Sequence, residues 1–307
     1  MESKTLVNGI KIPSICYGTD INHLFKSNSN MFVRLFLYFK FIVKSIIKKD
    51  GRFKKEKGIY QCLKNIDKFD CYCIDTSRAY GSSEHMIQKA IKGKDRNELF
   101  IITKLCASDQ LKGKTAEAAL RESMKELGVS YVDLYLIHWP VPGKWLDYWK
   151  QLEVLYKKGL CRSIGVSNCK IHHLEELKKT AEIMPMANEI ECHPLLTEEK
   201  LRKYCQVNNI QILSYTSTAR FDFRLRNSRR MDSICSKYNK NLGQIILRWQ
   251  IQIGNIPIFN TTSVKHLKNN MDIFNFEISK EDIDIISGMN INSRLRYDSD
   301  NCEFDKL

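Results

Sequence analysis

Short apolar runs alternate with longer amphipathic segments along most of this 307-residue chain. Each apolar run has the length and residue types of a buried strand, and each longer segment carries apolar residues at helical spacing. The predicted strands end at or near Thr19, Asp75, Lys104, His138, Val166, Glu191, Tyr215 and Asn260. Eight strand–helix alternations predict an α/β fold, a (β/α)8 TIM barrel, formed by residues 1–307 as a single domain.

The predicted helices lie between and after these strands. Gly128 and Gly159 stand where two of them should stop, because glycine readily adopts the backbone conformation that ends a helix. The predicted helices span 60–67, 83–92, 115–127, 145–158, 171–180, 198–206, 231–238, 244–253, 264–271 and 281–287.

Two features near the N-terminus depart from the regular alternation. Asn8-Gly9 lies between two short apolar runs and predicts a β-hairpin. Residues 22–56 form an insertion after the first barrel strand, with a basic, aromatic amphipathic helix over 31–49 and a basic linker over 50–58. We expect it at the catalytic face, where loops after barrel strands emerge. Its helix then docks on the barrel as a lid, binds a partner protein, or binds an anionic membrane surface.

Charge and cysteine usage narrow the possible classes of protein. The net charge of +14 fits a lysine-rich surface, an anionic cofactor or an anionic membrane, and no nucleic-acid-binding motif accompanies it. Eleven cysteines without a CxxC motif predict a reducing, cytoplasmic location. Cys71 and Cys73 share a face with Asp75 and are expected to be small core residues, although a metal site is the alternative. We predict no metal.

Four chemically active side chains stand at or just after predicted strand ends. Asp75, Tyr80, Lys104 and His138 provide an acid, a phenol, an amine and an imidazole, which together form a proton-transfer set. Taken singly, each is typical of a cap or a surface position. The run from Asp75 to Tyr80, then Lys104, then Leu136-Ile137-His138-Trp139-Pro140, resembles the aldo-keto reductase family in order and spacing.

The resemblance implies a role for each of these residues. Tyr80 would be the general acid, and Lys104 would lower the pKa of its phenol. Asp75 would hold Lys104, and His138 would orient the carbonyl oxygen. Trp139, together with His138 and Tyr80, would line the substrate pocket.

The same resemblance implies a dinucleotide site at the barrel mouth, and the chain has no G-x-G-x-x-G or Walker motif that would indicate another. Ser167 and Asn168 match the pair that holds the nicotinamide carboxamide, and Tyr215 matches the ring that stacks on it. Hydroxyls at 261–263 precede a helix start, which suits phosphate. The remaining residues assigned to NADP(H), with NADH as an alternative, are Thr19, Asp20, Glu189, Asn260, Thr261, Thr262, His266 and Asn270.

Three positions depart from the family pattern. Glu189 replaces the usual glutamine and, if ionised, should favour the oxidised cofactor. Asn260 and His266 stand where many NADP-dependent members have lysine and arginine, so the choice between NADPH and NADH stays open. Asp20 stands where a tryptophan commonly walls the pocket.

These observations predict an NAD(P)H-dependent enzyme that reduces aldehydes or ketones to alcohols by hydride transfer. Its partner is a small carbonyl substrate rather than a nucleic acid. The alternative is a cofactor-binding regulatory or sensor barrel with little turnover, because a fold does not fix its function. The complete set of four residues favours the enzyme, and the basic aromatic helix favours the alternative.

Overall fold

A computed structural model describes residues 2–20 and 51–306, and it shows eight parallel strands closed into a barrel. This confirms the predicted TIM barrel. A two-stranded hairpin precedes the barrel. The strands are β1 (Ser3–Thr5), β2 (Lys11–Pro13), β3 (Cys16–Gly18), β4 (Cys73–Asp75), β5 (Phe100–Leu105), β6 (Leu134–Ile137), β7 (Ile164–Ser167), β8 (Ala187–Glu191), β9 (Gln211–Tyr215) and β10 (Ile256–Phe259).

Helices follow the barrel strands and cover its outside. Their order and approximate bounds agree with the pattern of apolar residues, and the helix over 264–271 has the predicted bounds. The described helices are α1 (Gly51–Lys64), α2 (Ser83–Ile91), α3 (Ala107–Leu111), α4 (Ala116–Leu127), α5 (Trp145–Lys157), α6 (Ile171–Lys178), α7 (Glu199–Val207), α8 (Phe223–Arg226), α9 (Arg229–Tyr238), α10 (Leu242–Gln252), α11 (Val264–Met271) and α12 (Lys280–Ser287).

The predicted hairpin is present, and it closes the N-terminal end of the barrel. Leu6 N–H donates to Ile10 O at 2.9 Å, and Gly9 takes a φ of 83° in the turn. Asn8 Nδ2 donates to Arg162 O at 3.0 Å, just before β7 begins. The opposite end of the barrel, where the strands end, is therefore left for the functional site.

The prediction of a linker over 50–58 is wrong, because α1 begins at Gly51 and continues through Gly58. Residues 54–57 are Lys, Lys, Glu and Lys, which favour helix, and Ile59 anchors the helix in the core. Gly58 serves close packing: a Cβ there would lie 2.4 Å from Thr262 O. Residues 22–50 of the insertion, including the predicted helix over 31–49, lie outside the described residues.

The core fills the barrel and the layer between strands and helices. Tyr17, Tyr135 and Trp149 are among its largest fully buried side chains. Cys71 and Cys73 are both fully buried in this core, which confirms their prediction as core residues. In the described residues, no helix combines the length and apolar character needed to span a membrane.

Candidate active site

A buried lysine lies at the centre of the barrel mouth. Lys104, near the end of β5, is fully buried and its Nζ forms a close ion pair with Asp75 Oδ1. The same Nζ donates to Thr76 O at 3.1 Å and lies 3.3 Å from Glu189 Oε2. Asp75 ends β4, and Glu189 belongs to β8 on the opposite side of the barrel. One ammonium group therefore lies between two buried carboxyl groups.

The charges of this cluster follow from burial and proximity. Burial lowers the pKa of Lys104, but Asp75 and Glu189 outweigh it and hold that pKa well above its usual value. Burial raises the pKa of Asp75, against the opposing effect of Lys104. Burial and the neighbouring Asp75 raise the pKa of Glu189 to about 8. In the resting site Lys104 is therefore charged, whereas Glu189 is protonated below about pH 8.

Tyr80 lies beside this cluster, in the loop after β4. Lys104 Nζ is 5.2 Å from the centre of the Tyr80 ring, and the edge-on ring of His138 is 5.7 Å away, centre to centre. Burial raises the pKa of Tyr80 well above its usual value; Lys104 lowers it, and three carboxylates raise it further. Lys104 thus lowers the pKa of the phenol, as expected, but burial and the carboxylates outweigh its effect. The phenol stays protonated and available as an acid.

His138 follows β6 directly and is oriented by a serine. Its Nδ1 lies 3.2 Å from Ser77 Oγ, which also accepts the Ala79 N–H at 3.1 Å. Burial and the nearby Lys104 and Arg296 hold the pKa of His138 well below its usual value, so the ring is neutral. Sequence reasoning missed Ser77, although a hydroxyl between Asp75 and Tyr80 was a usable signal.

The residues assigned to the nicotinamide lie together on the neighbouring strand ends. Ser167 Oγ donates to Glu189 O at 2.9 Å, and Asn168 Nδ2 donates to His138 O at 3.0 Å. Tyr215 Oη donates to Asn168 Oδ1 at 2.6 Å, and the Tyr215 ring is half-buried. Asn168 has a φ of 62°, a backbone conformation that asparagine tolerates better than most residues. These bonds fix the side chains of Ser167, Asn168 and Tyr215 around one face of the mouth.

The loop after β3 is attached to the loop after β10. Asn260 Nδ2 donates to Gly18 O at 3.0 Å and to Asp20 O at 2.9 Å. Thr19 Oγ1 donates to Asp75 O at 2.8 Å. The amide nitrogen of Asn260 is thus engaged with backbone, and its assignment as a cofactor ligand stays a prediction.

The start of α11 carries the residues assigned to phosphate. Ser263 caps this helix, and Thr261 Oγ1 accepts the Ser263 N–H at 3.2 Å. Thr262 and His266 are exposed, and Asn270 is half-buried near the helix end. The structure therefore places exposed polar groups at a helix N-terminus on the rim of the barrel.

The C-terminal segment completes the mouth, and sequence reasoning missed it because it has neither periodicity nor a motif. Arg296 pairs with Asp20 at 3.2 Å, so the charge at Asp20 has a partner. Glu191 accepts the Arg296 N–H at 3.1 Å and anchors the segment to β8. Beyond it, Cys302 and Phe304 pack against the apolar cluster of Ala107, Trp139 and Val141, and the assignment of Trp139 to a pocket wall stays a prediction.

Comparisons with known proteins give the same family over most of the chain. The sequence profile described as Aldo/keto reductase family matches residues 52–291. A glyoxal reductase of Bacillus subtilis (strain 168) is 40% identical over 257 residues, which cover 83% of this chain and 92% of that protein.

Solved structures agree with the sequence relatives. An aldo-keto reductase from a Medee basin deep-sea metagenome library superposes with a TM-score of 0.82 at 31% identity, covering 98% of this chain and 100% of the other. A Bombyx mori aldo-keto reductase solved in complex with NADP has a TM-score of 0.80 at 28% identity, covering 97% and 96%. The chain therefore belongs to the aldo/keto reductase family of NAD(P)H-dependent oxidoreductases.

Proposed function

We propose that this protein reduces small aldehydes and ketones to alcohols with NADPH, and that Tyr80 is the general acid. The observation that carries the proposal is the contact of the buried Lys104 with Asp75, next to the ring of Tyr80 and within the same mouth as His138. An ammonium held in this position stabilises a phenolate that forms when Tyr80 gives up its proton. Asp75 keeps the ammonium charged and in place.

The residues at the mouth fit NADP(H). Ser167 and Asn168 present a hydroxyl and an amide group at the end of β7, and Tyr215 leaves part of its ring exposed beside them. Thr262 and the start of α11 offer donors to phosphate. The nicotinamide, when bound, supplies the hydride that goes to the carbonyl carbon. Glu189 Oε2 is buried without a hydrogen bond within the described residues, next to the groups assigned to this ring.

The preference for NADPH over NADH should be modest. The amide nitrogen of Asn260 already donates to Gly18 O and Asp20 O, so it is not free for a 2′-phosphate. Lys265 and Lys268 are exposed on the same helix, and they are the nearest cations in sequence. A 2′-phosphate would therefore interact with exposed surface lysines rather than with a buried clamp.

His138 and Tyr80 have different roles at the carbonyl oxygen: His138 orients it and Tyr80 protonates it. Because His138 is neutral, one ring N–H can orient the oxygen without competing with Tyr80 as a strong acid. Tyr80 then transfers its proton to the oxygen as the hydride reaches the carbon. Closely spaced, fixed donors of this kind act mainly by stabilising the charge that develops on the oxygen.

The substrate class follows from the mouth and from the relatives. Near the mouth, Trp139 and Phe304 are apolar, and Asp20 and Arg296 are charged. This combination suits a small carbonyl compound that carries a second polar group. Glyoxal, the substrate in the name of the Bacillus subtilis relative, is the appropriate starting compound.

The test is aldehyde-dependent oxidation of NADPH by the purified protein, with glyoxal and a panel of small aldehydes and ketones. We expect turnover by the wild type and a loss on the order of 10²–10⁴-fold in Tyr80→Phe with unchanged cofactor affinity. Tight cofactor binding without turnover on any carbonyl would contradict the proposal and favour a regulatory barrel.

A further inference from the structure

The proton transfer described above does not use Glu189, the second carboxyl group beside Lys104. Glu189 is buried and lies 3.3 Å from Lys104 Nζ, while Asp75 already forms the closer contact with the same ammonium. Two carboxylates beside one cation leave a net negative charge inside the barrel. A buried site of this kind lowers its free energy by holding one extra proton or by accepting one extra positive charge.

We infer that Glu189 couples its protonation to the oxidation state of the nicotinamide: it is a carboxylic acid beside the reduced cofactor and a carboxylate beside the oxidised one. The inference rests on the proposed function, because it requires NADP(H) at this mouth. The reduced ring is neutral, whereas the oxidised ring carries a positive charge that can replace the proton. Glu189 adjoins the residues assigned to that ring, through the Ser167 hydroxyl bond to its backbone oxygen.

The other titratable groups around Glu189 cannot supply this proton near neutral pH. Lys104, Tyr80 and Tyr215 all have raised pKa values and stay protonated. Burial likewise raises the pKa of Cys73 on β4, and His138 stays neutral because its pKa is lowered. The proton therefore belongs to the pair formed by Asp75 and Glu189.

Within that pair, Glu189 is the proton carrier. Asp75 has the closer contact with Lys104, which stabilises its ionised form, and Glu189 has the longer one. Asp20 lies near Asp75 and Tyr80, adds negative charge on that side and is itself paired with Arg296. The Asp75 carboxylate raises the pKa of its neighbour Glu189, which favours the neutral acid at that position.

The coupling gives Glu189 a defined part in one turnover. Tyr80 gives its proton to the carbonyl oxygen while the carbon receives the hydride, so the alcohol is complete. Lys104 passes one N–H proton to the Tyr80 phenolate and takes the proton of Glu189 in exchange. The result is a neutral Tyr80, a charged Lys104 and an ionised Glu189, and no proton is created or lost. Glu189 regains its proton from water when the oxidised cofactor is replaced.

The test compares the affinities of NADP+ and NADPH at several pH values between about 6 and 9, in wild type and in Glu189→Gln. The ratio of the two dissociation constants, NADP+ over NADPH, should fall by roughly tenfold per pH unit below about pH 8 in the wild type and then level off. The ratio removes any effect of His266 on the 2′-phosphate, because both cofactors carry that phosphate. Calorimetry in two buffers should show that NADP+ binding releases a proton near pH 7 and that NADPH binding does not.

Glu189→Gln should make the ratio independent of pH and abolish the proton release. Glutamine is the residue that the family usually has there, so the variant should fold. Glu84→Gln is the matched control: Glu84 is a buried carboxyl group with a raised pKa, bonded to Thr103 Oγ1 at 2.8 Å on the outer side of β5. It should retain the wild-type pH dependence.

The outcomes separate this inference from the proposed function. Binding of both cofactors with a pH-independent ratio in the wild type would overturn the role of Glu189 and leave carbonyl reduction intact. A pH dependence that survives in Glu189→Gln would also overturn it, because another group would then carry the proton. Failure of both cofactors to bind would overturn the proposed function and the inference with it.

Discussion

Replacing Lys104 with methionine should damage stability and activity together. The change removes the only positive charge that contacts Asp75 and Glu189 among the described residues, and the methionine keeps most of the apolar volume. The separation of 3.3 Å between Lys104 Nζ and Glu189 Oε2 corresponds to about 5 kcal/mol of Coulomb energy at an effective dielectric constant of about 20, once the pH is above about 8 and Glu189 is ionised. Breaking a buried ion pair by removal of one partner costs about 3–5 kcal/mol, which agrees with that figure.

The loss of stability should depend on pH in a defined direction. Without Lys104, the pKa values of both carboxyl groups rise further above their values in the unfolded chain. The folded protein then binds more protons than the unfolded chain, so its stability falls as pH rises toward the raised folded-state pKa. Lys104→Met should therefore lose more stability at about pH 8 than at about pH 5.

The assay is thermal unfolding at both pH values, together with carbonyl-dependent NADPH oxidation. A loss of about 3–5 kcal/mol corresponds to a fall in Tm of roughly 5–8 °C for a chain of 307 residues. Lys157→Met is the control, because it removes a surface pair with Glu182 at 2.7 Å and should cost less than about 1 kcal/mol. Adding Glu189→Gln to Lys104→Met should recover part of the stability. An unchanged Tm at high pH, or equal losses at both pH values, would refute the reasoning.

Three further substitutions test other parts of the site. Tyr80→Phe should bind NADPH as the wild type does but lose roughly 10²–10⁴-fold in turnover, measured by stopped-flow reduction of glyoxal; near-normal turnover would remove Tyr80 from its role. Ser77→Ala should lower kcat/KM for the carbonyl by roughly tenfold without changing cofactor affinity, because the His138 ring loses its contact with the Ser77 hydroxyl. A kcat/KM equal to that of the wild type would show that the 3.2 Å contact does not orient His138. Gly58→Ala places a Cβ 2.4 Å from Thr262 O, so it should lower Tm and weaken NADPH binding. The exposed control Lys57→Ala should change neither property. Wild-type Tm and NADPH affinity in Gly58→Ala would contradict the tight packing of α1 against Thr262.

The barrel was predictable because its strands and helices differ in length and in the spacing of their apolar residues along the sequence. Strands such as β5, which is buried throughout, read as short apolar runs, and α11 stood out by its capping hydroxyl and helical spacing. The start of α1 was not predictable in the same way. Gly58 looks like a helix breaker in sequence, and only the contact with Thr262 shows why a glycine is needed inside that helix.

The four polar residues at the strand ends were predictable from order and spacing, but their energetics were not. Sequence reasoning placed Lys104 beside Tyr80 and expected it to lower the pKa of the phenol, and the contribution of Lys104 has that direction. Burial and the carboxylates around Tyr80 outweigh that contribution, and both depend on residues brought together only by barrel closure. The contact between Glu189 and Lys104 also depends on barrel closure, because the two residues come from opposite sides of the barrel.

The most direct test of the account is a single turnover with NADPH deuterated at its transferable hydrogen. Wild-type protein and Tyr80→Phe would each be mixed in excess with this cofactor and a small aldehyde, and the product would be analysed by mass spectrometry. We predict one deuterium on the carbinol carbon with the wild type and almost no product in the same time with Tyr80→Phe. Product without deuterium, or equal product from both proteins, would contradict hydride transfer assisted by Tyr80.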